Sequence, residues 1–153
     1  MSNTYTQIHI HAVFAVQNRM SLISSEWKDR LYMYITSIIQ KNGHKLIAIN
    51  GCPDHVHILF GMRPNQSLSE LMKDIKGSSS KWINEERLAG GKFSWQEGYG
   101  AFSYGKSQIS NVINYINNQE EHHKKISFMD EYKKFLELYG INYDEQFIFR
   151  PVE

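Results

Sequence analysis

The first regular pattern along the chain is an alternation of apolar and polar side chains over residues 6–16, with isoleucine and valine among the apolar ones. A period of two with β-branched residues is typical of a strand. Residues 45–50 and 55–62 also favour strands, and residues 51–54 between them contain Gly and Pro, which is typical of a turn. The pattern therefore predicts three strands within the first 62 residues.

Apolar residues recur at helical spacing in four other segments. Ser67 caps one of them, because Glu70 three residues on completes a capping box. Residues 93–104 are aromatic-rich and interrupted by glycines, which favours a strand with an irregular loop. The predicted helices run from Ser24 and Ser25 to Gly43, from Ser67 to Gly90 and Gly91, over residues 107–123 and over residues 128–139.

The predicted order of elements is β-α-β-β-α-β-α-α, and its first six match the split βαβ, ferredoxin-like pattern. We therefore expect an α+β protein with an RRM-like, mostly antiparallel sheet and helices on one face. The other face is left for a partner or an extra helix. The chain of 153 residues shows no linker and no repeat, so a single domain over residues 1–153 is expected.

The composition excludes several classes of protein. A net charge of +1 argues against a polycationic tail, although a local basic patch is compatible with it. The single cysteine, Cys52, excludes an internal disulfide framework, and we interpret it as a small buried residue. No apolar run approaches the roughly twenty residues of a membrane span, and the first residues lack a signal-peptide pattern. A soluble, cytoplasmic protein with no membrane partner is expected.

Two histidines stand out in the segment His55-Val56-His57. Alternate side chains of a strand point to the same face, so the two imidazoles lie about 6.6 Å apart along the strand and are able to converge on one metal ion. Two half-buried histidines that share a strand by chance are an equally good interpretation of this segment alone. Asp54, just before the strand, is interpreted as a turn residue.

A tyrosine and a glutamine form the second pattern. Tyr115 and Gln119 are i and i+4 neighbours on the predicted helix, and Tyr115 lies roughly 110° from the centre of its apolar stripe. Taken alone, they favour an ordinary surface pair. Taken with His55 and His57, they supply three neutral ligands for a divalent cation and a hydroxyl beside it. Such an ion polarises a phosphodiester oxygen, which lowers the barrier to attack by a phenol.

The segment from Cys52 to Leu59 resembles the HUH motif of single-tyrosine transposases of the IS200/IS605 type, and Tyr115-x-x-x-Gln119 resembles that family's catalytic-tyrosine helix. Residues 95–102 and 119–125 also resemble family segments, and the resemblance spans roughly residues 4–143. By this resemblance, Tyr115 is the nucleophile, and His55, His57 and Gln119 bind the metal.

The resemblance implies an activity and its partners as well. Family members cut and rejoin single-stranded DNA at the ends of a mobile element through a 5′-phosphotyrosine intermediate. They recognise DNA hairpins, require Mg²⁺ or Mn²⁺ and act as homodimers. These properties are expectations for the present chain.

Other histidines have two interpretations each. His122 and His123 either assist the metal or the leaving 3′-oxygen, or are solvated at a helix end, where the helix dipole favours them. His9 and His11 share one face of the first strand, where they pack against the sheet face or contact DNA. A second metal site is not predicted there.

Five basic residues are candidates for DNA phosphate contacts, although a solvated helix face explains the first three equally well. Four aromatic residues are candidates for stacking on unpaired bases, although some of them must belong to the core. The basic candidates are Lys73, Lys76, Lys81, Arg63 and Lys106, and the aromatic ones are Trp95, Tyr99, Phe102 and Tyr104.

Two other functions compete with strand transfer. The first is a non-catalytic module of the same fold that binds nucleic-acid hairpins without cutting them. The second is a metal-dependent hydrolase in which water attacks and Tyr115 is incidental. The sequence offers no carboxylate or histidine base beside the histidine pair to support it.

Overall fold

The computed structural model describes residues 4–123 and 126–141; the remaining residues of the predicted domain, 1–3, 124–125 and 142–153, lie outside the described residues. The strands are β1 (His9–Ala15), β2 (Lys45–Cys52), β3 (His55–Gly61) and β4 (Gly100–Tyr104). The helices are α1 (Lys28–Lys41), α2 (Leu68–Glu85), α3 (Ile109–Asn117), α4 (Gln119–His122) and α5 (Phe128–Leu138).

The four strands form one antiparallel sheet in the order β2-β3-β1-β4. This order and direction confirm the predicted α+β, ferredoxin-like arrangement. The central strands are β1 and β3, in a register that sets Val13 opposite His57 and His11 opposite Leu59. Because a central strand is covered on both faces, all six residues from 55 to 60 are buried.

One face of the sheet carries the main hydrophobic core under α1 and α2. Phe14 and Ile58 contribute to it from the central strands, and the stripes of the two helices pack against them. The helical members include Leu31 and Ile35 of α1 and Leu71, Met72 and Ile75 of α2. This packing confirms the predicted helical stripes, because the same residues recur at positions i, i+3 and i+4.

The other face is covered by the C-terminal helices, which the sequence analysis allowed for as an extra helix. Val112 and Ile116 of α3 pack against Leu59, and Phe128 and Leu136 of α5 belong to a cluster with Val13. His55 and His57 lie on this side of the sheet. No helix among the described residues has the length and apolarity that crossing a membrane requires.

The helix predicted over residues 107–123 is not continuous. It begins with a 3-10 turn over Lys106–Gln108 and breaks at Asn118, where the backbone leaves the helical conformation between α3 and α4. The side-chain amide of Asn50 donates to the carbonyls of Ile116 and Asn117, at 3.0 and 3.2 Å. These carbonyls would bond to the following turn in a continuous helix, so their capture by β2 accounts for the break.

The second predicted helix also ends earlier than its glycines suggest. It ends at Glu85, and Arg87 adopts a positive φ of 55°. The amide of Asn84 exchanges two hydrogen bonds with the backbone of Phe93, at 2.7 and 2.9 Å. The Asn84 side chain thus fixes the start of the segment that leads from α2 to β4. Within residues 93–104, where a strand was predicted, the regular strand is β4 alone.

Gly51, near the end of β2, lies where the two strands of the β2–β3 hairpin pack closely together. A Cβ atom at this position would overlap the carbonyl oxygen of His55 and lie 3.0 Å from Cα of Val56. Gly51→Ala should therefore lower the free energy of unfolding by about 1–3 kcal/mol, as overpacked sites do. The measurement is urea unfolding followed by circular dichroism.

Gly77→Ala is the matched control, because Gly77 lies inside α2 with no atom within 4 Å of an added Cβ. It should raise stability by roughly 0.5–1 kcal/mol through helix propensity. Equal effects of the two substitutions would contradict this account of the hairpin.

Candidate metal and tyrosine site

Two fully buried imidazoles form the base of the site. His55 and His57 lie on the same face of β3, and their ring centroids are 5.1 Å apart. The Nδ1 atom of each ring makes a hydrogen bond that fixes the ring's orientation. Nδ1 of His55 bonds to the Asp54 carboxylate at 2.7 Å, and Nδ1 of His57 bonds to Nε2 of His11 at 2.7 Å. The two Nε2 atoms therefore face the space under the C-terminal helices.

The carboxylate of Asp54 sets the protonation pattern of His55. A carboxylate accepts hydrogen bonds, so Nδ1 of His55 carries the proton and Nε2 presents a lone pair. Asp54 lies in the predicted turn, and it also orients a ring of the site. His11 was predicted to pack on the sheet face or to contact DNA. It is fully buried on the sheet face, and its hydrogen bond to Nδ1 orients the ring of His57.

Gln119 reaches this space in spite of the helix break. Its side chain is fully buried, and its Oε1 atom lies 3.2 Å from Nε2 of His55. The carbonyl oxygen of Gln119 contacts the thiol of Cys52, at 3.7 Å. With Nδ1 of His55 protonated, two acceptors face one another across this gap, and a cation satisfies both. Gln119 and His55 are thus brought together, as the spacing predicts.

The site contains a carboxylate that the sequence analysis missed. Glu131 of α5 is 3% exposed, and its oxygens lie 3.2 Å from Nε2 of His57, 2.9 Å from Nε2 of His122 and 3.2 Å from Nε2 of His123. A signal was available: Glu131 lies three residues after Phe128 and four before Phe135, on the apolar stripe of its helix. A carboxylate at a core position indicates a buried partner.

The two histidines at the end of α4 also turn inward. The side chain of His123 is only 11% exposed and that of His122 is 33% exposed, and both contact Glu131. The interpretation as a solvated helix-end histidine is therefore wrong for His123, whereas His122 is partly solvated and also contacts Glu131. Potential ligand atoms of His55, His57, His123 and Glu131 all lie within 4.8 Å of one another.

Tyr115 lies in the site of its own chain. Its hydroxyl donates a hydrogen bond to Oε2 of Glu131, and its ring meets that of His57 edge-on with centroids 5.8 Å apart. The structure thus brings the predicted nucleophile to the predicted metal ligands. The carboxylate between them belongs to a helix that the sequence analysis did not connect with the site.

Burial disfavours the charged forms of the groups in the site. Desolvation lowers the pKa of His57 well below its ordinary value and that of His123 to about 4, and it raises the pKa of Glu131 to about 8. Among the described residues, the buried atoms without a hydrogen-bond partner include Nε2 of His57 and Oε1 of Glu131. Nitrogen and oxygen donors without partners fit a divalent cation.

The predicted DNA contacts are scattered over the surface. Lys73 and Lys81 are exposed on α2, whereas the ammonium of Lys76 donates to the carbonyls of Gln96 and Gly98, both at 2.7 Å. Lys76 thus holds the loop before β4. Arg63 lines an open cleft of about 740 Å³ at one end of the sheet, and Lys106 is exposed near α3. Their roles in DNA binding stay predictions.

The aromatic candidates divide between core and surface. Trp95 and Phe102 are buried, and the indole N–H of Trp95 donates to Ser79 at 2.9 Å. Tyr99 and Tyr104 are half-buried. Cys52 is also half-buried, and burial raises the pKa of its thiol to about 12, which argues against a reactive thiolate.

The fold is shared with two solved structures. A protein from Deinococcus radiodurans superimposes with a TM-score of 0.62 at 23% identity, over 78% of the present chain and 95% of that chain. A REP-associated tyrosine transposase bound to a REP hairpin superimposes with a TM-score of 0.61 at 15% identity, over 82% and 74%. The two superpositions show that the present chain shares the fold of these proteins.

Sequence comparison gives the family. The model of the family "Transposase IS200 like" matches residues 4–119, so the chain belongs to the IS200-like transposases. It is 26% identical to the ISDra2 transposase of Deinococcus radiodurans, over 75% of this chain and 86% of that protein. It is 25% identical to the transposase of insertion sequence IS200 from Salmonella typhimurium, over 81% and 84%. These matches confirm the resemblance found in the sequence.

The buried His11 makes stability depend on pH. Desolvation lowers its pKa from 6.5 to about 4, so between these values the unfolded chain binds a proton that the folded chain does not. The free energy of unfolding should therefore fall as pH drops from 6.5 towards 4. In His11→Phe, the slope over this range should decrease by up to about 1.4 kcal/mol per pH unit, as measured by urea unfolding at a series of pH values.

Phe102→Leu is the control, because Phe102 contacts the His11 ring without titrating. It should lower stability at every pH and leave the slope unchanged. An unchanged slope in His11→Phe would contradict the assignment.

Proposed function

We propose that this transposase cuts and rejoins single-stranded DNA in a metal-dependent reaction, with Tyr115 as the nucleophile and a 5′-phosphotyrosine as the intermediate. One observation carries the proposal. The hydroxyl of Tyr115 lies beside a buried group of histidine, glutamine and carboxylate atoms, several of which lack hydrogen-bond partners. A tyrosine next to such a group is suited to attack a phosphodiester bound there.

His55, His57 and Gln119 would hold the divalent cation, in the HUH arrangement that the sequence resembles, and Mg²⁺ or Mn²⁺ is the proposed cofactor. When bound, the ion supplies charge that polarises a phosphodiester oxygen. Asp54 and His11 fix the two rings from behind, so the donor atoms are oriented before any ligand arrives.

The proposed reaction conserves the number of phosphate ester bonds. The Tyr115 oxygen forms a bond to phosphorus while the bond from phosphorus to the 3′-oxygen breaks. The phenol loses its proton and the leaving 3′-oxygen gains one, so the products are a 5′-phosphotyrosine and a free 3′-hydroxyl. Attack by another 3′-hydroxyl reverses the process, and rejoining therefore needs no external energy source.

We propose a DNA hairpin as the substrate feature that the protein recognises. The family assignment and the structural neighbour bound to a REP hairpin support this proposal. Arg63, Lys73, Lys81 and Lys106 are exposed and are proposed to contact phosphates. A homodimer is proposed from the family resemblance, although Tyr115 already adjoins His57 within one chain.

The hydrolase alternative gains one observation from the structure. A hydrolase needs a base that activates water, and the sequence showed no such group beside the histidine pair. In the structure, the Glu131 carboxylate lies there. Water would then attack the phosphorus, and no covalent protein–DNA intermediate would form. The two functions, and the non-catalytic module, therefore differ in whether an adduct is found.

Tyr115→Phe should abolish formation of a covalent protein–DNA adduct, because the attacking oxygen is removed. The test incubates protein with single-stranded DNA that carries the end of its element and Mg²⁺ or Mn²⁺, and detects the adduct on a denaturing gel. Tyr34→Phe is the control, since Tyr34 stacks on Trp82 far from the site and should retain the adduct. Cleavage without an adduct would favour the hydrolase, and hairpin binding without cleavage would favour the module.

Replacing either metal-binding histidine should separate cleavage from binding. His55→Ala and His57→Ala should reduce cleavage by at least about 100-fold, in line with loss of a metal ligand, while hairpin affinity measured by gel shift stays within about threefold. Thermal unfolding would verify that both variants fold. Loss of hairpin binding in a folded variant would contradict the separation of roles.

A further inference from the structure

Glu131 is buried at a position where a helix ordinarily places an apolar residue. It lies on the inward stripe of α5 beside Phe128, Tyr132 and Leu136, all of which are buried. Burying a carboxylate is costly unless it is paired with a positive charge or held by hydrogen bonds. The burial of Glu131 thus raises the question of which group compensates its charge.

The groups around Glu131 within the chain do not satisfy its hydrogen-bonding capacity. They are the Nε2 atoms of His57, His122 and His123 and the hydroxyl of Tyr115. Oε1 of Glu131 and the Nε2 atoms of the three rings are buried without a hydrogen-bond partner. A buried carboxylate oxygen beside imidazole nitrogens, with no hydrogen bond between them, leaves room for a cation.

The spacing of these atoms matches a coordination shell. Ligands about 2.1 Å from an octahedral ion lie about 3.0 Å apart when adjacent and about 4.2 Å apart when opposite. The Glu131 oxygens lie 3.2 Å from Nε2 of His57 and 3.2 Å from Nε2 of His123. Oε1 of Glu131 lies against Nε2 of His57 and Oε2 lies against Nε2 of His123, and neither Nε2 atom makes a hydrogen bond.

Glu131 also lies beyond residues 4–119, the part of the chain that the family model matches. The proposed ligands His55, His57 and Gln119 all lie within the matched part. The carboxylate thus comes from α5, outside the matched part of the chain.

We propose that Glu131 is a further ligand of the divalent cation, so that α5 completes the metal site and holds Tyr115 beside it. This inference rests on the proposed function, because it assumes the cation. A carboxylate adds a negative, hard oxygen donor to two imidazoles and an amide, which raises affinity for Mn²⁺ and Mg²⁺. Since the same carboxylate accepts the hydrogen bond of Tyr115, the position of the nucleophile is linked to the metal site.

The test measures Mn²⁺ binding to the full chain without DNA, by electron paramagnetic resonance of the free ion. Glu131→Gln keeps the size of the side chain and removes its charge, and it should weaken Mn²⁺ binding by at least tenfold. Glu131→Asp should recover part of the affinity because the charge is restored. Glu137→Gln is the control, because Glu137 is exposed on the same helix and should bind Mn²⁺ like the unaltered chain.

Thermal unfolding without metal verifies that each variant is folded, and added Mn²⁺ should raise the melting temperature of Glu131→Gln less than that of the unaltered chain. Unchanged Mn²⁺ affinity in Glu131→Gln, together with loss of binding in His57→Ala, would overturn the inference and leave the proposed metal site standing. Weaker binding in Glu131→Gln with no DNA adduct from the unaltered chain would support the inference and count against the proposed function. Absence of Mn²⁺ binding to the unaltered chain would overturn both.

Discussion

The antiparallel register between β1 and β3 is the constraint on which the rest of the structure depends. It sets Val13 opposite His57 and Leu59 opposite His11, so His11 and His57 become diagonal neighbours on one face. A slip of one residue between the two strands would place His11 and His57 on opposite faces of the sheet. The register therefore decides whether the two rings meet, and the large core on the other face of the sheet fixes the register.

Exclusion of water gives the site its chemical character. α3, α4 and α5 cover the histidine face, so His55, His57 and Gln119 are fully buried and Glu131 nearly so. Burial disfavours charged imidazoles and carboxylates alike, as the raised pKa of Glu131 and the lowered pKa of His57 show. Electrostatic interactions strengthen in such surroundings, so the cation proposed for this site would interact strongly with the donor atoms around it.

Several parts of the site follow from local spacing. The period of a strand places His55 and His57 on one face, and one helical turn separates Tyr115 from Gln119. These relations hold because they depend on neighbours within a few residues. The break at Asn118 does not follow in this way, because the amide that captures the carbonyls of α3 belongs to Asn50, more than sixty residues earlier. The packing of Lys76 against Gln96 and Gly98 is a contact of the same kind.

The sequence by itself determined the order of elements, the ferredoxin-like sheet, the pair of histidines and the tyrosine with its glutamine, because periodicity and short spacings encode all of them. Only the tertiary structure decided that His11 stands behind His57, that His122 and His123 turn inward and that Glu131 meets Tyr115. Each of these contacts joins elements far apart in the chain. Their positions depend on how α5 packs across the sheet, and local sequence patterns do not specify that packing.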